Sequence, residues 1–348
     1  MKKLFALLLS LALVATMTAC GSKSDSTGSD SNANAETITS DKPVKWDFVV
    51  INSLTHPSSV LCQEFADSIM EKSGGRIEIT VRAPGELSYN AADYLVAVGD
   101  GSVQMADVGS NCFGVLKAGA LPCLPYIASD LDEFDEVMSV VEPTLKEELA
   151  EYGAKYLFYY TWPAQSLWTK NKELKSLYDV KGLKIRTINN ELSALVQQLG
   201  GTPVSLAGSE VPTGLQTGVV DGVITSAYGL GGAGWDDSLN YGLIADCQVI
   251  PDYMCMNQAE YDALPEDLQK VIDEVCEEFQ AKMCETMFAD EDTWRTDLES
   301  EGMVLNTVDE NESAQVTADM QNYWDSWCEE RGGNTAELLE QVRTELNK

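Results

Sequence analysis

The sequence predicts an α/β fold of two similar lobes, because strand and helix patterns alternate along most of its 348 residues. A helix, a glycine turn and a strand occur in the same order at 93–106 and at 210–225, as two related halves would give. A long amphipathic pattern then starts after Pro265 and predicts one long helix. Chance recurrence of a common αβ unit is the alternative explanation for the repeat.

Hydrophobic spacing places the elements of the first half. Alternating apolar residues predict strands, and apolar residues at every third or fourth position predict helices. Gly74 and Gly75 end the first helix, because glycine tolerates the left-handed cap conformation. The expected strands are 45–52, 76–81 and 154–160, and the expected helices are 58–72 and 131–151.

The second half continues the alternation. The stripe of the long helix is formed by Leu268, Val271, Ile272, Val275 and Phe279. The expected strands are 183–187, 202–206 and 219–224, and the other expected helices are 191–199, 316–328 and 336–346.

The N-terminus predicts a lipoprotein. Residues 1–19 have the form of a signal peptide, with Lys2 and Lys3 before an apolar run at 4–14 that is too short to span a membrane. Small residues precede Cys20, which we expect to carry acyl chains such as palmitate. More than one chain is needed for stable anchoring, and such chains would hold the protein at the outer face of the cell membrane.

The lipidated cysteine is expected to be followed by a flexible linker, so that 20–42 forms no part of the fold. This segment consists mainly of Gly, Ser, Asn, Asp and Thr, and it cannot bury a core. The remaining chain is long enough for two domains of ordinary size.

The chain is strongly acidic. Its formal net charge is −33, and it becomes −35 when Lys2 and Lys3 leave with the signal peptide. Such a charge disfavours nucleic acid and anionic lipid as partners. An anionic ligand stays possible, because one arginine in a closed cleft outweighs distant carboxylates that salt screens.

No motif for catalysis or for a resident cofactor occurs. The chain has one histidine, His56, and neither G-x-S-x-G nor H-E-x-x-H is present. The glycines of 229–234 lack the strand–turn–helix context of a dinucleotide site. We therefore expect a protein that is not an enzyme and that needs no cofactor or metal of its own. A metal that bridges the ligand stays open.

Eight cysteines follow Cys20, and none of them forms a C-x-x-C pair. An exported protein can pair such residues in disulfides. We expect instead that most are small buried hydrophobic residues. They are Cys62, Cys112, Cys123, Cys247, Cys255, Cys276, Cys284 and Cys328.

Arg186 is the strongest single candidate for ligand binding. It lies near the end of the predicted strand 183–187, and ligands of open α/β sheets bind beyond the carboxyl ends of strands. Its guanidinium offers a planar pair of donors that matches a carboxylate. A structural ion pair is the alternative role in so acidic a chain.

Three motifs around Arg186 carry a family resemblance. Residues 179–186 read DVKGLKIR, residues 199–204 read LGGTPV, and residues 209–222 read SEVPTGLQTGVVDG. Together with SGGR at 73–76, they resemble the solute receptors of tripartite ATP-independent periplasmic (TRAP) transporters, of the dicarboxylate-receptor (DctP) type.

The resemblance implies a two-lobed fold like that of periplasmic binding proteins, with a long helix that bridges the lobes. It also implies an extracytoplasmic receptor that captures an organic acid and delivers it to a secondary transporter with a small and a large membrane subunit. Arg186 would then clamp the carboxylate of the solute. A receptor for an ATP-driven importer or a sensor, and a membrane-tethered enzyme, are the alternatives.

The resemblance further implies ligand-binding residues on both sides of a cleft. Family members that bind dicarboxylates or sugar acids often carry a second arginine where this chain has Ser166, and Thr225 stands where an asparagine often lies. We therefore expect a monocarboxylate with an uncharged or aromatic body, against Trp162 or Trp168. The expected ligand-binding residues are Arg186, Asn52, Asn111, Ser166, Trp168, Thr225, Ser226 and His56.

The expected lobes are each built from two stretches of chain. Residues 43–162 and 251–288 should form the first lobe, and residues 163–250 and 289–348 the second. The chain would then cross between the lobes more than once.

Overall fold

The computed structural model of the protein describes residues 42–346. The predicted signal peptide (1–19), the lipid attachment at Cys20 and nearly all of the linker (20–42) lie outside the described residues. Within the described part, no helix combines the length and the apolar character that crossing a membrane requires.

Strands and α-helices alternate through the described chain. The strands are β1 (Val44–Val49), β2 (Ile77–Arg82), β3 (Met105–Val108), β4 (Ala154–Trp162), β5 (Ser166–Thr169), β6 (Lys184–Thr187), β7 (Thr202–Ser205), β8 (Gly222–Thr225), β9 (Tyr241–Ile244), β10 (Ile250–Asn257) and β11 (Val304–Thr307). The helices are α1 (Pro57–Lys72), α2 (Tyr94–Gly99), α3 (Leu131–Glu151), α4 (Asn190–Gln198), α5 (Val211–Thr217), α6 (Ala227–Gly232), α7 (Gln258–Asp262), α8 (Glu266–Ser300), α9 (Glu310–Arg331) and α10 (Thr335–Glu345).

The first lobe is built on a five-stranded sheet in the order β2-β1-β3-β10-β4. Strands β1, β2 and β3 run parallel, whereas β10 is antiparallel to both β3 and β4. Helices α1 and α8 pack on this sheet through aromatic contacts. The Phe65 ring of α1 lies 5.2 Å from that of Phe158 on β4 and 5.5 Å from that of Phe279 on α8.

The second lobe is built on a six-stranded sheet in the order β11-β9-β5-β8-β6-β7. Strands β6, β7 and β8 run parallel, so that their carboxyl ends meet at one edge. The expected strand 219–224 begins later, at Gly222, because Gly218 caps α5 with a φ of 73° and the next three residues turn into the sheet.

The chain passes between the two sheets at three places. The β4–β5 and β9–β10 connections are short, and the 35 residues of α8 form the third connection. Helix α8 packs on β4 and α1 of the first lobe and on α6 of the second. The predicted two-lobed α/β fold with a bridging helix is therefore confirmed.

The C-terminal helices contact both lobes. Trp324 of α9 donates its indole N–H to Pro125 O in the first lobe at 3.0 Å, and Trp327 donates to Glu191 Oε1 of α4 at 2.8 Å. Helix α10, which the expected bounds assign to the second lobe, packs against α3 of the first. The bounds of the two lobes stay a prediction.

The cysteines within residues 42–346 are all buried, and each is a free thiol. Burial raises the pKa of every one of these thiols above its ordinary value. Five of the eight belong to α-helices or strands, where they pack as small apolar side chains.

Candidate functional site

Arg186 lies on β6 at the edge where the parallel strands of the second lobe end. Its side chain is 4% exposed, and burial lowers the pKa of its guanidinium to about 10. Its Nε donates to Leu206 O at 3.1 Å, and its Cζ lies 5.3 Å from the centroid of the Trp235 ring. The two terminal nitrogens make no hydrogen bond to any residue between 42 and 346.

Arg186 differs from the other arginines of the described chain in having no carboxylate partner. The other five each form an ion pair, and these are Arg76, Arg82, Arg295, Arg331 and Arg343. A buried cation without a counter-ion is costly, because the interior does not replace the water that solvated it. The structural ion pair considered for Arg186 is therefore absent from the described residues.

Thr225 and Ser226 end the strand next to Arg186. Val223 of β8 pairs with Arg186 in register, so the structure brings these residues to the same edge of the sheet. The Ser226 hydroxyl accepts a hydrogen bond from Gly229 N at 3.0 Å and thereby caps α6.

Ser166 and Trp168 point into the second lobe rather than toward an open surface. Both are 0% exposed. Trp168 Nε1 donates to Thr225 O at 2.7 Å, and the Ser166 hydroxyl accepts from Ala245 N at 3.1 Å. Neither side chain forms a hydrogen bond with the Arg186 guanidinium.

Asn52 and Asn111 follow β1 and β3, two neighbouring parallel strands of the first lobe. They therefore lie at the same edge of that sheet. The Asn52 side-chain amide donates to Ser58 Oγ at 3.2 Å, whereas Asn111 is exposed at the start of a 3-10 turn.

His56 lies between the lobes. Its Nδ1 accepts a hydrogen bond from Ser58 N at 3.2 Å and caps α1. Its ring centroid lies 5.7 Å from that of Trp162 at the β4 crossing and 5.8 Å from that of Tyr228 on α6. Burial lowers the pKa of His56 to about 4, so the ring is neutral near pH 7. Its visible role is to pack the two lobes together.

A second buried charged group lies in the first lobe, and sequence reasoning did not identify it. Asp107 of β3 and Asp252 of β10 are each 1% exposed. The Tyr160 hydroxyl lies 3.0 Å from Asp107 Oδ2 and 2.9 Å from Asp252 Oδ2. Trp162 Nε1 donates to the same Asp252 oxygen at 2.7 Å.

The two carboxyl groups, which we call the acidic pair, both contact the Tyr160 hydroxyl, and we infer that one of them is protonated. One phenol hydrogen cannot serve both Asp107 and Asp252, so the contact needs a second hydrogen, which a protonated carboxyl supplies. Burial raises the pKa of Asp252 to about 7 and raises the pKa of Asp107 well above its usual range. Asp252 also accepts from the indole of Trp162 and the backbone of Ser110, and it is the better placed of the two to carry the negative charge.

A metal site and a cavity are two other features that could bind a ligand. Within residues 42–346, no three His, Cys, Asp or Glu side chains gather into a group that could hold a metal ion. A cavity of about 370 Å³ lies in the second lobe, but none of the expected ligand-binding residues lines it. Its lining is Lys170, Pro212, Thr213, Gln216, Asp237, Ser238 and Asn240.

Solved structures share this fold. An extracytoplasmic solute receptor of Bordetella pertussis that binds pyroglutamic acid has a TM-score of 0.80 at 21% identity, and the match covers 86% of this chain and 99% of that receptor. A TRAP periplasmic solute-binding protein of Chromohalobacter salexigens with bound D-glucuronate has a TM-score of 0.79 at 22% identity, with coverage of 86% and 99%.

Sequence comparison gives the family. A solute-binding protein of Chromohalobacter salexigens is 24% identical over 283 residues, which make up 80% of this chain and 83% of the relative. The family model described as bacterial extracellular solute-binding protein, family 7 (DctP), matches residues 48–331. The resemblance seen in the three motifs is confirmed. The chain belongs to family 7 of the bacterial extracellular solute-binding proteins, the DctP family.

Proposed function

We propose that the protein captures a solute with one carboxylate through Arg186 and delivers it to the membrane subunits of a TRAP-type transporter. The observation that carries this proposal is the unpaired charge of Arg186, which is buried at the edge where strands end and which lacks a counter-ion among the described residues. A carboxylate supplies that counter-ion together with two hydrogen-bond acceptors.

The geometry of Arg186 supports an end-on clamp. Its Nε already donates to Leu206 O, so the edge formed by the two terminal nitrogens is the one left for a ligand. A carboxylate on that edge would accept two parallel hydrogen bonds. The pair would gain strength as the lobes close and exclude water, because a lower dielectric strengthens the attraction.

The charges of the other arginines favour a ligand with a single carboxylate. Arg295 and Arg331 are the two others that lie near segments joining the lobes, and both are already engaged with carboxylates, Asp246 and Glu191. Pyroglutamic acid and D-glucuronate, which the similar receptors bind, each carry one carboxylate. We infer a monocarboxylate whose remaining part is neutral.

The neutral part of the ligand would meet the first lobe and the crossing. Asn52 and Asn111 lie at one edge of the first sheet and could donate hydrogen bonds. Trp162 is partly exposed and packs at the crossing, so it suits an apolar wall better than Trp168, whose ring is fully buried. Thr225 is the polar neighbour that Arg186 has on its own edge.

The place of action follows from the family and from the N-terminus. The family consists of extracellular solute-binding proteins rather than enzymes. We propose that lipid chains on Cys20 anchor the receptor to the cell membrane after cleavage of residues 1–19. The segment 20–42 would give the folded body reach toward the small and large membrane subunits. Mass spectrometry of the membrane-extracted protein tests the acylation of Cys20.

Titration calorimetry on Arg186→Ala tests the ligand site. Removing one partner of a buried charge pair costs on the order of 2–5 kcal/mol, so we expect affinity to fall about 30-fold or more. Arg76→Ala is the matched control, because Arg76 is an exposed arginine in an ion pair of the first lobe, and it should leave affinity unchanged. Unchanged affinity in Arg186→Ala would remove this residue from the site.

A thermal-shift screen with matched mono- and dicarboxylates identifies the ligand class, because a ligand that binds the native state raises the melting temperature. We expect the largest shifts from monocarboxylates with a neutral ring or chain. If C4-dicarboxylates give the largest shifts, the ligand class is wrong, and another cation must then hold the second carboxylate.

A further inference from the structure

We propose that Trp235 is a positioning residue that holds the Arg186 guanidinium ready for a carboxylate. This inference rests on the proposed role of Arg186 and adds a second residue to it. Trp235 contacts the guanidinium rather than the ligand, and it would act on affinity through Arg186.

Two contacts fix the guanidinium before any ligand arrives. Its Cζ lies 5.3 Å from the centroid of the Trp235 ring, within the range of a cation–π interaction. Its Nε donates to Leu206 O at 3.1 Å on another side. The indole ring holds one face of the guanidinium, and Leu206 O holds its Nε edge. The edge formed by the two terminal nitrogens therefore keeps a single orientation. A ligand then loses less entropy on binding, because the arginine is already ordered.

The Trp235 ring is itself held by the second lobe. It is 7% exposed, and its backbone N–H donates to Leu230 O at 3.0 Å. Val211, Leu215 and Leu239 belong to the same buried cluster. The ring is therefore part of a buried apolar cluster, and the Arg186 guanidinium rests against it.

An aromatic ring can stabilise the buried guanidinium without occupying its hydrogen-bond donors, whereas a carboxylate would occupy them. A buried cation needs a compensating charge, and the negative face of an indole supplies part of it. The ring accepts the charge without using the terminal N–H donors of Arg186. An aspartate or glutamate at this place would occupy those donors and exclude the ligand. The arrangement therefore keeps Arg186 charged, buried and available.

A double-mutant cycle with Trp235→Leu and Trp235→Phe separates this role from simple packing. Phenylalanine keeps an aromatic face, whereas leucine keeps only apolar volume. With pyroglutamate as the probe in calorimetry, we expect Trp235→Leu to weaken binding about tenfold, the fold-change for about 1.4 kcal/mol, and Trp235→Phe to recover most of it. In the Arg186→Ala background the leucine change should have no further effect.

Two outcomes would overturn the proposal. Equal affinities for the leucine variant and the wild type would show that the ring does not position Arg186. An equal loss in the Arg186→Ala background would show that Trp235 acts on binding independently of Arg186. The Arg186→Ala arm reports separately on the proposed function, so failure of one inference is distinguishable from failure of the other.

NMR of the ligand-free protein supplies a readout that requires no binding probe. The Nε–H signal of Arg186, assigned by its loss in Arg186→Lys, should carry a ring-current shift from Trp235. We expect Trp235→Leu to abolish that shift and Trp235→Phe to keep part of it. An unchanged signal in the leucine variant would contradict the contact.

Discussion

The two lobes bury charge in opposite ways. In the second lobe the buried cation Arg186 has an aromatic ring and a carbonyl oxygen as its partners, and none of its partners within residues 42–346 is a carboxylate. The first lobe holds the acidic pair, Asp107 and Asp252, with Tyr160 and Trp162 as donors. Both sites are nearly inaccessible to solvent, yet different interactions offset the free-energy cost of burying their charged groups.

The difference lies in what each group can do with a proton. A carboxyl group can bind a proton and become neutral, so the acidic pair needs no external ion. A guanidinium does not lose its proton in proteins, even where burial lowers its pKa to about 10. Arg186 has no counter-ion within residues 42–346, and the proposed carboxylate ligand would supply one.

Of the substitutions considered for the two buried sites, Asp252→Ala should have the largest effect on stability. This change leaves the Trp162 indole N–H and the Ser110 backbone N–H without their acceptor, and it removes one of the two carboxyl partners of the Tyr160 hydroxyl. We expect a loss of about 3 kcal/mol in the free energy of unfolding, measured by urea denaturation. Asp237→Ala removes an exposed carboxylate and should cost less than about 0.5 kcal/mol. Equal stability of the two variants would refute the network.

Asp107→Asn should change how the free energy of unfolding depends on pH. Both members of the acidic pair have a raised pKa, so between about pH 4 and the pKa of about 7 the folded chain binds more protons than the unfolded chain. The free energy of unfolding therefore falls as pH rises through this window, by up to about 1.4 kcal/mol per pH unit for each proton. Asparagine cannot titrate, so the variant should show a shallower decline.

Urea titrations from about pH 5 to about pH 8 measure this slope, with Asp237→Asn as the control that leaves it unchanged. The other titratable side chains near the pair are neutral in this range, because burial raises the pKa of Tyr94 and Cys112 to about 12 and raises that of Cys62 as well. If Asp107→Asn and the wild type have the same slope, the pair does not share a proton.

Arg186→Met tests the buried cation of the second lobe, and its expected effect on stability is the smallest of the three. Replacing a buried charge by an apolar side chain of similar size is often stabilising. We expect the ligand-free variant to gain about 1 kcal/mol in urea denaturation while losing ligand binding. Arg76→Met, at an exposed ion pair, should change stability by less than about 0.5 kcal/mol. A destabilised Arg186→Met would show that the fold depends on this cation.

The parts of this contrast that depend on local pattern could be predicted from sequence. The alternation in LKIRT places Arg186 on a strand, and the structure has β6 there. The stripe beginning at Leu268 predicts a long helix, which α8 provides. These elements are set by neighbouring residues, so a short window of sequence contains the necessary information.

The acidic pair and the tryptophans could not be found in the same way. Asp107 and Asp252 are distant in the chain, and they meet because β10 returns beside β3. The sequence does not predict the hydrogen bond from the Trp168 indole to Thr225 O, and the place of Trp168 at the ligand stays a prediction. No local sequence pattern signals the contact between Trp235 and Arg186. Such contacts depend on how distant strands and loops pack.

The burial of the cysteines limits the thiol chemistry of a protein that acts outside the cytoplasm. All eight thiols within residues 42–346 are free and enclosed, and burial disfavours the thiolate form that attacks disulfides. The described part of the protein therefore presents no cysteine thiol to oxidants, small thiols or other secreted proteins. No disulfide has to form among these residues, so the folding of this part of the protein does not depend on the oxidation of its thiols.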